Sequence, residues 1–552
     1  MSLQFITGNS GNGKTKYLFN RIVKEAKANP RDNYLVIVPE QFTMQTQRQL
    51  VDLSENKAIM NIDVLSFKRL AYRVFDELGI TNLTVLEETG KNLVLRKLAA
   101  QEADKLGVIG RNLNRIGYIS EVKSLLSELV QYNISPEELG RYIASGRLSD
   151  TLSDKLKDVL VLYEAFEKFM QDKYITAEEI LNVLSNVAEE SAILRNSVIA
   201  FDEFTGFTPI QNQLIKKLFV ISKKIYVTLT IDCREDIFKS RGMQELFDMP
   251  KRTVKSLTEM AAFYGIEVEE PIILDKNYRL AENEELSFME QQLFRKRRCS
   301  FKKAPKHIHI DCLRDPKQEL TKIARRINEL VRNENLRYRD IAIVTGDVNI
   351  YAGYVREIFD KYNIPYFIDA TQEILFHPFI EFIRSIPDIA AQNFSADAVF
   401  RFLRCGFSEL LDSEIDVLEN YVLACRVRGK SAWDKKWVRL PKHKAGYDIE
   451  LLNQSREYIM ELLKPVYQVF SDKKSTVKDY VLAIYKLIVL LDIPDKLAKK
   501  EQALLDAGDQ TASKEYGQIY KIVMHLFEKY VAVLGDECMD AEEFTQILDA
   551  GL

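Results

Sequence analysis

The stretch Gly8-Asn9-Ser10-Gly11-Asn12-Gly13-Lys14-Thr15 constrains this chain more than any other. It has the form G-x-x-x-x-G-K-T, in which backbone N–H groups wrap a nucleotide's phosphates, the lysine reaches the β/γ-phosphates and the threonine hydroxyl sits on Mg2+. Such a loop works only between a strand and a helix, because the helix N-terminus supplies the free N–H groups and the positive end of the dipole. The flanking sequence offers both. Leu3 to Thr7 reads as a short buried strand, and Lys16 to Ala28 places Leu18, Ile22, Val23 and Ala26 at helical spacing. Gly8 through Thr15 are therefore the expected ATP-binding residues, with Thr15 directed to Mg2+. The competing reading is a Gly-rich turn with an incidental lysine.

At 552 residues the chain has room for about three or four domains. Its net charge of −4 gives no global attraction to nucleic acid, so any such site must be a local patch. Cys233, Cys299, Cys312, Cys405, Cys425 and Cys538 form no C-x-x-C pair, which argues against a zinc ribbon or a disulfide framework and for reduced thiols in a cytoplasmic protein. No signal peptide is expected ahead of a first strand that begins almost at Met1. The apolar run Leu487 to Leu491 is too short to cross a bilayer.

Strands and helices alternate over residues 1–80, with further strands at Tyr34 to Val38 and Ile62 to Leu65. Residues 81–189 read as a helical insertion: Ile119, Val122, Leu125, Leu126 and Leu129 share one helix face, and Leu152 to Phe166 carry the same spacing. Strand signals return at Ser197 to Phe201 and Ile225 to Ile231, so residues 190–290 complete the first α/β domain. A basic linker follows (Arg295 to Arg298, Lys302, Lys303, Lys306). A second α/β stretch is expected over 300–385, with strands at His307 to Asp311, Ile341 to Thr345 and Tyr366 to Ile368 and a helix at Glu319 to Val331. Residues 386–552 read as mostly helical. The second stretch has too few strands for a whole sheet, and a fragment of a longer protein is the expectation.

Ser197 to Phe204 is an apolar strand ending in Asp202-Glu203, the layout of a Walker B motif. There Asp202 would hold the Mg2+ shell and Glu203 would orient an attacking water. Two solvated loop carboxylates are the plainer alternative. Asp202-Glu203-Phe204 resembles the D-E-F-Q-D run of UvrD-like superfamily 1 helicases, and Leu274-Asp275-Lys276-Asn277-Tyr278-Arg279 resembles their L-x-x-N-Y-R motif, whose arginine meets the γ-phosphate. Val38 to Thr43, Leu65 to Phe75, Arg337 to Ala342, Ile364 to Asp369 and His377-Pro378 resemble, in combination, the AddB-type component of ATP-dependent helicase/nuclease. The resemblance runs over the whole chain and implies a P-loop NTPase fold, RecA-like, with large all-α insertions. It also implies a heterodimer in which an A-type partner does the unwinding, and DNA as substrate. A nuclease domain with an iron–sulfur cluster is implied only in a C-terminal part that this chain lacks.

The chain departs from a working motor. Only seven residues precede Gly8, leaving no place for the adenine-reading glutamine motif. Thr205 and Gly206 stand where the helicases carry Gln and Asp, and Thr228 to Arg234 lacks the Gly and Gln of G-D-x-x-Q. The expectation is nucleotide binding without efficient translocation, in a protein that scans the emerging strand for a recombination hotspot. An autonomous helicase ATPase and a scaffold with a structural P-loop are the alternatives.

In this helicase class the loops after the second and third strands line the single-strand track. Here they present Glu40, Gln41, Thr43, Phe67, Arg69 and Tyr72, with Phe204 and Phe207 after Walker B. Aromatic faces stack bases, arginine holds phosphate, and Gln and Thr can read base edges. Phe67 and Tyr72 can equally be core residues at a helix start. Arg426 to Lys444 mixes eight basic residues with Trp433 and Trp437; at i, i+4 those tryptophans can simply pack a helix onto its domain.

Overall fold

In the computed structural model the N-terminal segment builds one parallel sheet. The described residues are 1–80, 85–108, 110, 118–146, 148–170, 174–295, 299–369, 374, 376–441 and 447–551. Strands β1 (Ser2–Gly8), β2 (Tyr34–Ile37) and β3 (Ile62–Leu65) alternate with helices α1 (Lys14–Ala28), α2 (Thr43–Leu53) and α3 (Phe67–Leu78). After a two-residue ladder of β4 (Val85–Leu86) with β5 (Ile175–Thr176), the sheet is completed by β6 (Val198–Phe201), β7 (Lys224–Thr230), β8 (Glu267–Val268) and β9 (Ile272–Leu274). The order is β3-β2-β6-β7-β1-β8, with β9 also on β1, and every pairing is parallel.

Both faces of this sheet are buried, so its strands read as continuous apolar runs. Leu3, Phe5, Leu35, Ile37, Ile199, Phe201, Ile225 and Val227 face one core. It also takes in α3, α8 (Ile180–Val187), α9 (Pro209–Ile221) and α10 (Asp248–Phe263). The alternate residues Ile6, Val36, Val198, Ala200 and Tyr226 pack under α1 and α2. Between β4 and β5, helices α4 (Glu88–Gln101), α5 (Tyr118–Gln131), α6 (Pro136–Ala144) and α7 (Asp150–Met170) enclose a separate core around Val94, Leu126, Leu162 and Phe166. Helix α8 packs on the sheet rather than on that bundle.

Two compact units are present, Met1–Arg279 with His377–Leu552, and Leu280–Phe376. The second contains α11 (Glu284–Gln292), α12 (Pro316–Asn333) and α13 (Val348–Lys361), the last two closing on Leu320, Ala324, Ile327, Ile358 and Phe359. The strands expected at His307 to Asp311, Ile341 to Thr345 and Tyr366 to Ile368 do not form. Ile310, Val344 and Phe367 stand in solvent, about nine-tenths exposed (93%, 92% and 87%), while Ile341 packs against the α12–α13 core. A strand is stabilised by lateral neighbours, and these segments have no ladder to join.

The C-terminal helices are α14 (Pro378–Ala391), α15 (Ala396–Leu403), α16 (Asp412–Cys425), α17 (Lys430–Asp434), α18 (Ile449–Ser471), α19 (Val477–Leu490), α20 (Ile493–Asp506), α21 (Gln510–Leu534) and α22 (Ala541–Gly551). Trp433 is fully buried, its ring 5.3 Å from that of Trp437 and flanked by Phe394 and Phe400. Trp437 is buried against Tyr421 and donates from Nε1 to the Ala432 carbonyl at 3.0 Å. Asn453 and Arg456 of α18 take the two tryptophan carbonyls. Both tryptophans therefore hold α17 on its domain, leaving Arg426, Arg428, Lys435, Lys436 and Arg439 exposed; Lys442 and Lys444 lie outside the described residues. Trp433→Ala should cost about 3–5 kcal/mol of stability, whereas Lys435→Glu with Lys436→Glu should leave the thermal unfolding midpoint within ~1 °C of the parent.

Candidate nucleotide-binding site

Strand β1 is held on both edges, and its last residue sits between two neighbours: Gly8 is level with Thr230 of β7 and with Leu274 of β9. A Cβ on Gly8 would lie 2.7 Å from the Leu274 carbonyl oxygen, so only glycine lets the chain pass here. The loop then turns tightly. Asn12 N–H donates to the Asn9 carbonyl at 3.2 Å, Gly11 and Gly13 take φ of +88° and +79°, and Gly13 caps α1. Asn12 is buried, and its Nδ2 donates to the Leu274 carbonyl at 2.6 Å. The first N–H groups of α1, those of Lys14 and Thr15 among them, have no partner within the helix.

Lys14 is half-buried and donates from Nζ to the Asn9 carbonyl at 3.1 Å. Burial depresses its pKa, and the positive charge of Arg279 adds to that, against the pull of Glu203 and Asp202. Asp202 follows β6 and is 1% exposed. Its Oδ1 accepts from the Thr228 hydroxyl of β7, and Oδ2 is buried without a hydrogen-bond partner. Burial pushes the Asp202 pKa up, and Glu203 pushes it the same way, against the Thr228 hydrogen bond. The Thr15 hydroxyl donates to Glu203 Oε1 at 3.3 Å. Glu203 holds φ at +64°, a left-handed conformation that a β-carbon disfavours and that concentrates at functional positions. An unpaired buried carboxylate oxygen after β6, beside a hydroxyl and a partly desolvated ammonium at the start of α1, is what a divalent cation and a polyphosphate would complete.

The segment after β9 closes on the same loop. Asn277 Nδ2 donates to the Ser10 carbonyl at 3.0 Å, and the N–H groups of Tyr278 and Arg279 converge on the Gly11 carbonyl at 3.0 and 3.4 Å. A Cβ on Gly11 would lie 2.8 Å from Arg279 Cβ and from Asn277 Oδ1. The Tyr278 ring stands 3.6 Å from the position of a Cβ on Gly13. The structure thus gathers Gly8 to Thr15, Asp202, Glu203 and Arg279 from separate stretches of chain. Sequence reasoning passed over Thr228, Asn277 and Tyr278 as site residues. A threonine in an otherwise apolar buried strand was the available signal for the first, and the Asn-Tyr-Arg run itself for the other two.

The expected DNA-facing residues divide. Glu40, Gln41, Arg69 and Tyr72 are exposed, Tyr72 by 40%. Phe204 and Phe207 are half-buried. Thr43 is an interior residue, contrary to the expectation, and Phe67 takes the core alternative. Thr43 is buried and its hydroxyl donates to the Glu40 carbonyl at 3.0 Å. Phe67 is 7% exposed, its ring 5.8, 5.6 and 6.4 Å from those of Phe201, Phe204 and Phe207. Its faces are taken by this cluster, so it supports the surface from beneath. Among the described residues no group of three or more His, Cys, Asp and Glu could hold a metal ion, and no helix is long and apolar enough to cross a membrane.

A carboxyl whose folded pKa is raised favours the fold below its unfolded pKa of about 3.8, and that contribution is lost as pH rises through the folded value. At neutral pH the Asp202 charge therefore costs stability. Asp202→Asn, which keeps an acceptor for Thr228, should raise the unfolding midpoint by ~2 °C at pH 7, as read from thermal scans of the ligand-free protein.

A family model described as ADDB, N-terminal, matches residues 5–290, more than half of the chain. The B subunit of the ATP-dependent helicase/deoxyribonuclease of Lachnoclostridium phytofermentans is 38% identical over 561 residues, covering 100% of this chain and 49% of that protein. The proteins of the same name from Clostridium acetobutylicum and Clostridioides difficile are each 31% identical, with 100% of this chain and 48% of each relative covered. The chain spans about half the length of the curated relatives it matches. With the matched region containing the loop, Asp202, Glu203 and Arg279 together, the chain belongs to the AddB family.

Proposed function

We propose that the chain is the nucleotide- and DNA-binding, helicase-like portion of one component of an ATP-dependent helicase/nuclease, built on a P-loop NTPase fold of the RecA-like kind. The observation that carries this reading is the gathering of Lys14, Thr15, Asp202, Glu203 and Arg279 around one Gly-rich loop at the carboxyl edge of a parallel sheet. In it the N–H groups of Gly13, Lys14 and Thr15 and the Lys14 ammonium hold the phosphates of ATP. Thr15 and Asp202 hold Mg2+, which neutralises phosphate charge when bound. Glu203 orients water, and Arg279 approaches the terminal phosphate.

The protein reads DNA rather than driving along it. Thr205 and Gly206 replace the coupling residues after Asp202-Glu203, and past β7 the buried Asp232 is engaged by its own neighbour Arg234 through Nε and Nη2 at 2.9 and 2.5 Å. That carboxylate is committed locally. The exposed Glu40, Gln41, Arg69 and Tyr72, with the half-buried Phe204 and Phe207, serve a single strand emerging from a processed duplex end, where a recombination hotspot is recognised. The heterodimer partner is the A-type motor of the same helicase/nuclease, and the compartment is the bacterial cytoplasm. The nuclease and its iron–sulfur cluster belong to the other half of the relatives' length.

Calorimetry with Mg·ATP, ATPase assays with and without single-stranded DNA, and an unwinding assay test this. Mg·ATP binding is expected, weakened about tenfold to a hundredfold by Lys14→Ala. Arg69→Glu with Tyr72→Ala should weaken single-strand binding by a similar factor. DNA-stimulated unwinding by the isolated chain, lost in Lys14→Ala, would favour an autonomous helicase; nucleotide binding too weak to detect would favour a scaffold.

A further inference from the structure

Thr228 interrupts an otherwise apolar stripe. On the face of the sheet that packs under α1 and α2, the strands present Ile6, Val36, Ala200 and Tyr226, all buried. Thr228 follows Tyr226 by one full alternation of β7, so it projects to that same face, and it stands level with Ile6 of β1. On the other side, Phe201 of β6 is level with Val227, which brings the next residue, Asp202, beside Thr228. Thr228 is 3% exposed, and among the described residues its hydroxyl makes one hydrogen bond, donated to Asp202 Oδ1. Burying a hydroxyl costs free energy that a hydrogen bond offsets. Valine would fill the same space in a strand without that cost. The hydroxyl is therefore accounted for by what it does to Asp202.

Asp202 is pinned twice. Its N–H donates to the Ile37 carbonyl at 3.1 Å, which fixes the backbone, and Thr228 engages Oδ1, which fixes the rotation of the carboxylate. A β-branched side chain has few χ1 rotamers in a strand, so the donor holds its own direction. One oxygen is left over: Oδ2 is buried and has no hydrogen-bond partner, with the Thr15 hydroxyl near the same carboxylate. A carboxylate that binds a metal through one oxygen is commonly oriented by a hydrogen bond to the group, and loss of that partner lowers metal affinity about tenfold to a hundredfold. A hydroxyl that served the fold alone would change stability and leave the contribution of Mg2+ to nucleotide affinity untouched.

We propose that Thr228 is a positioning residue, whose hydroxyl holds Asp202 Oδ1 so that Oδ2 is the oxygen left for the divalent cation of bound Mg·ATP. The proposal rests on Asp202 standing on the cation side of the nucleotide site. Calorimetry of ATP binding to the full chain, in Mg2+ and in EDTA, tests it. The parent is expected to bind ATP more tightly in Mg2+ than in EDTA. Thr228→Val should lower the affinity in Mg2+ by about tenfold or more and leave the affinity in EDTA within about twofold of the parent's. Thr228→Ser, which returns the donor, should recover the affinity in Mg2+ to within about threefold of the parent's. Should Thr228→Val fail to fold, Thr228→Cys, a weak donor of similar size, carries the same comparison with a loss of about threefold or more confined to Mg2+. Parental affinity in the valine or cysteine variant, equal weakening with and without Mg2+, or a serine variant that behaves as valine does, each overturns the role of Thr228 and leaves that of Asp202 standing. A parent that binds ATP equally well in Mg2+ and in EDTA overturns the cation role of Asp202, and that of Thr228 with it.

Discussion

The site depends on β1 being paired along both edges. With β7 on one side and β9 on the other, Gly8 has no room for a side chain, and the chain must leave the sheet in one direction. The turn that follows is fixed from outside as well as within, because Leu274, Asn277, Tyr278 and Arg279 hydrogen-bond to it or crowd it. A Gly-rich loop is entropically costly to order. Here the ordering is supplied by a strand more than 260 positions away in sequence, so loop and closing segment form as one structure. That same pairing carries Arg279 to the loop, so a positive charge that acts on Lys14 is placed by backbone hydrogen bonds rather than by its own side chain.

The charges collected there are poorly matched without a ligand. Lys14 is depressed by burial although two carboxylates lie near, and Asp202 is raised although the lysine and two hydroxyls lie near. Desolvation outweighs attraction for both groups, the usual balance for buried ions that lack a full set of hydrogen bonds. The left-handed Glu203 adds backbone strain at the same point. A structural loop would gain from neutral, satisfied side chains at these positions. Retaining them is understandable if a polyphosphate and a divalent cation complete the set.

Local chemistry was legible in the sequence and lateral partners were not. The strand, loop and helix around Gly8 to Thr15 fall within two residues of the expected bounds, because glycine spacing and flanking apolar runs are short-range signals. The same holds for Asp202 at the end of β6. The strands read at His307, Ile341 and Tyr366 failed because an apolar run of three to five residues states a preference but names no neighbour. For Phe67, left open between a base-stacking and a core role, the spacing already favoured the core: Phe67, Leu70, Ala71, Val74 and Phe75 form one helix face, and all are buried. Thr43 shows the limit of residue type as a guide, since its hydroxyl is spent on the turn that precedes its own helix.

Helix α4 explains why the helical insertion and the C-terminal helices belong to one unit. Leu93, Val94, Leu95, Leu98 and Ala99 are buried and spread around most of its circumference, so it cannot serve a single core. One side completes the α5–α7 bundle, and the other meets α21 and α22. Polar bonds fix the second contact: Arg96 reaches both the carbonyl and the side chain of Gln546, Lys97 pairs with Glu537, and Glu87 with Lys529. Arg96 is desolvated there, with its pKa lowered by burial, so the contact is a packed one and not a loose surface pairing. Spent on two cores at once, α4 is a helix that cannot leave one without opening the other.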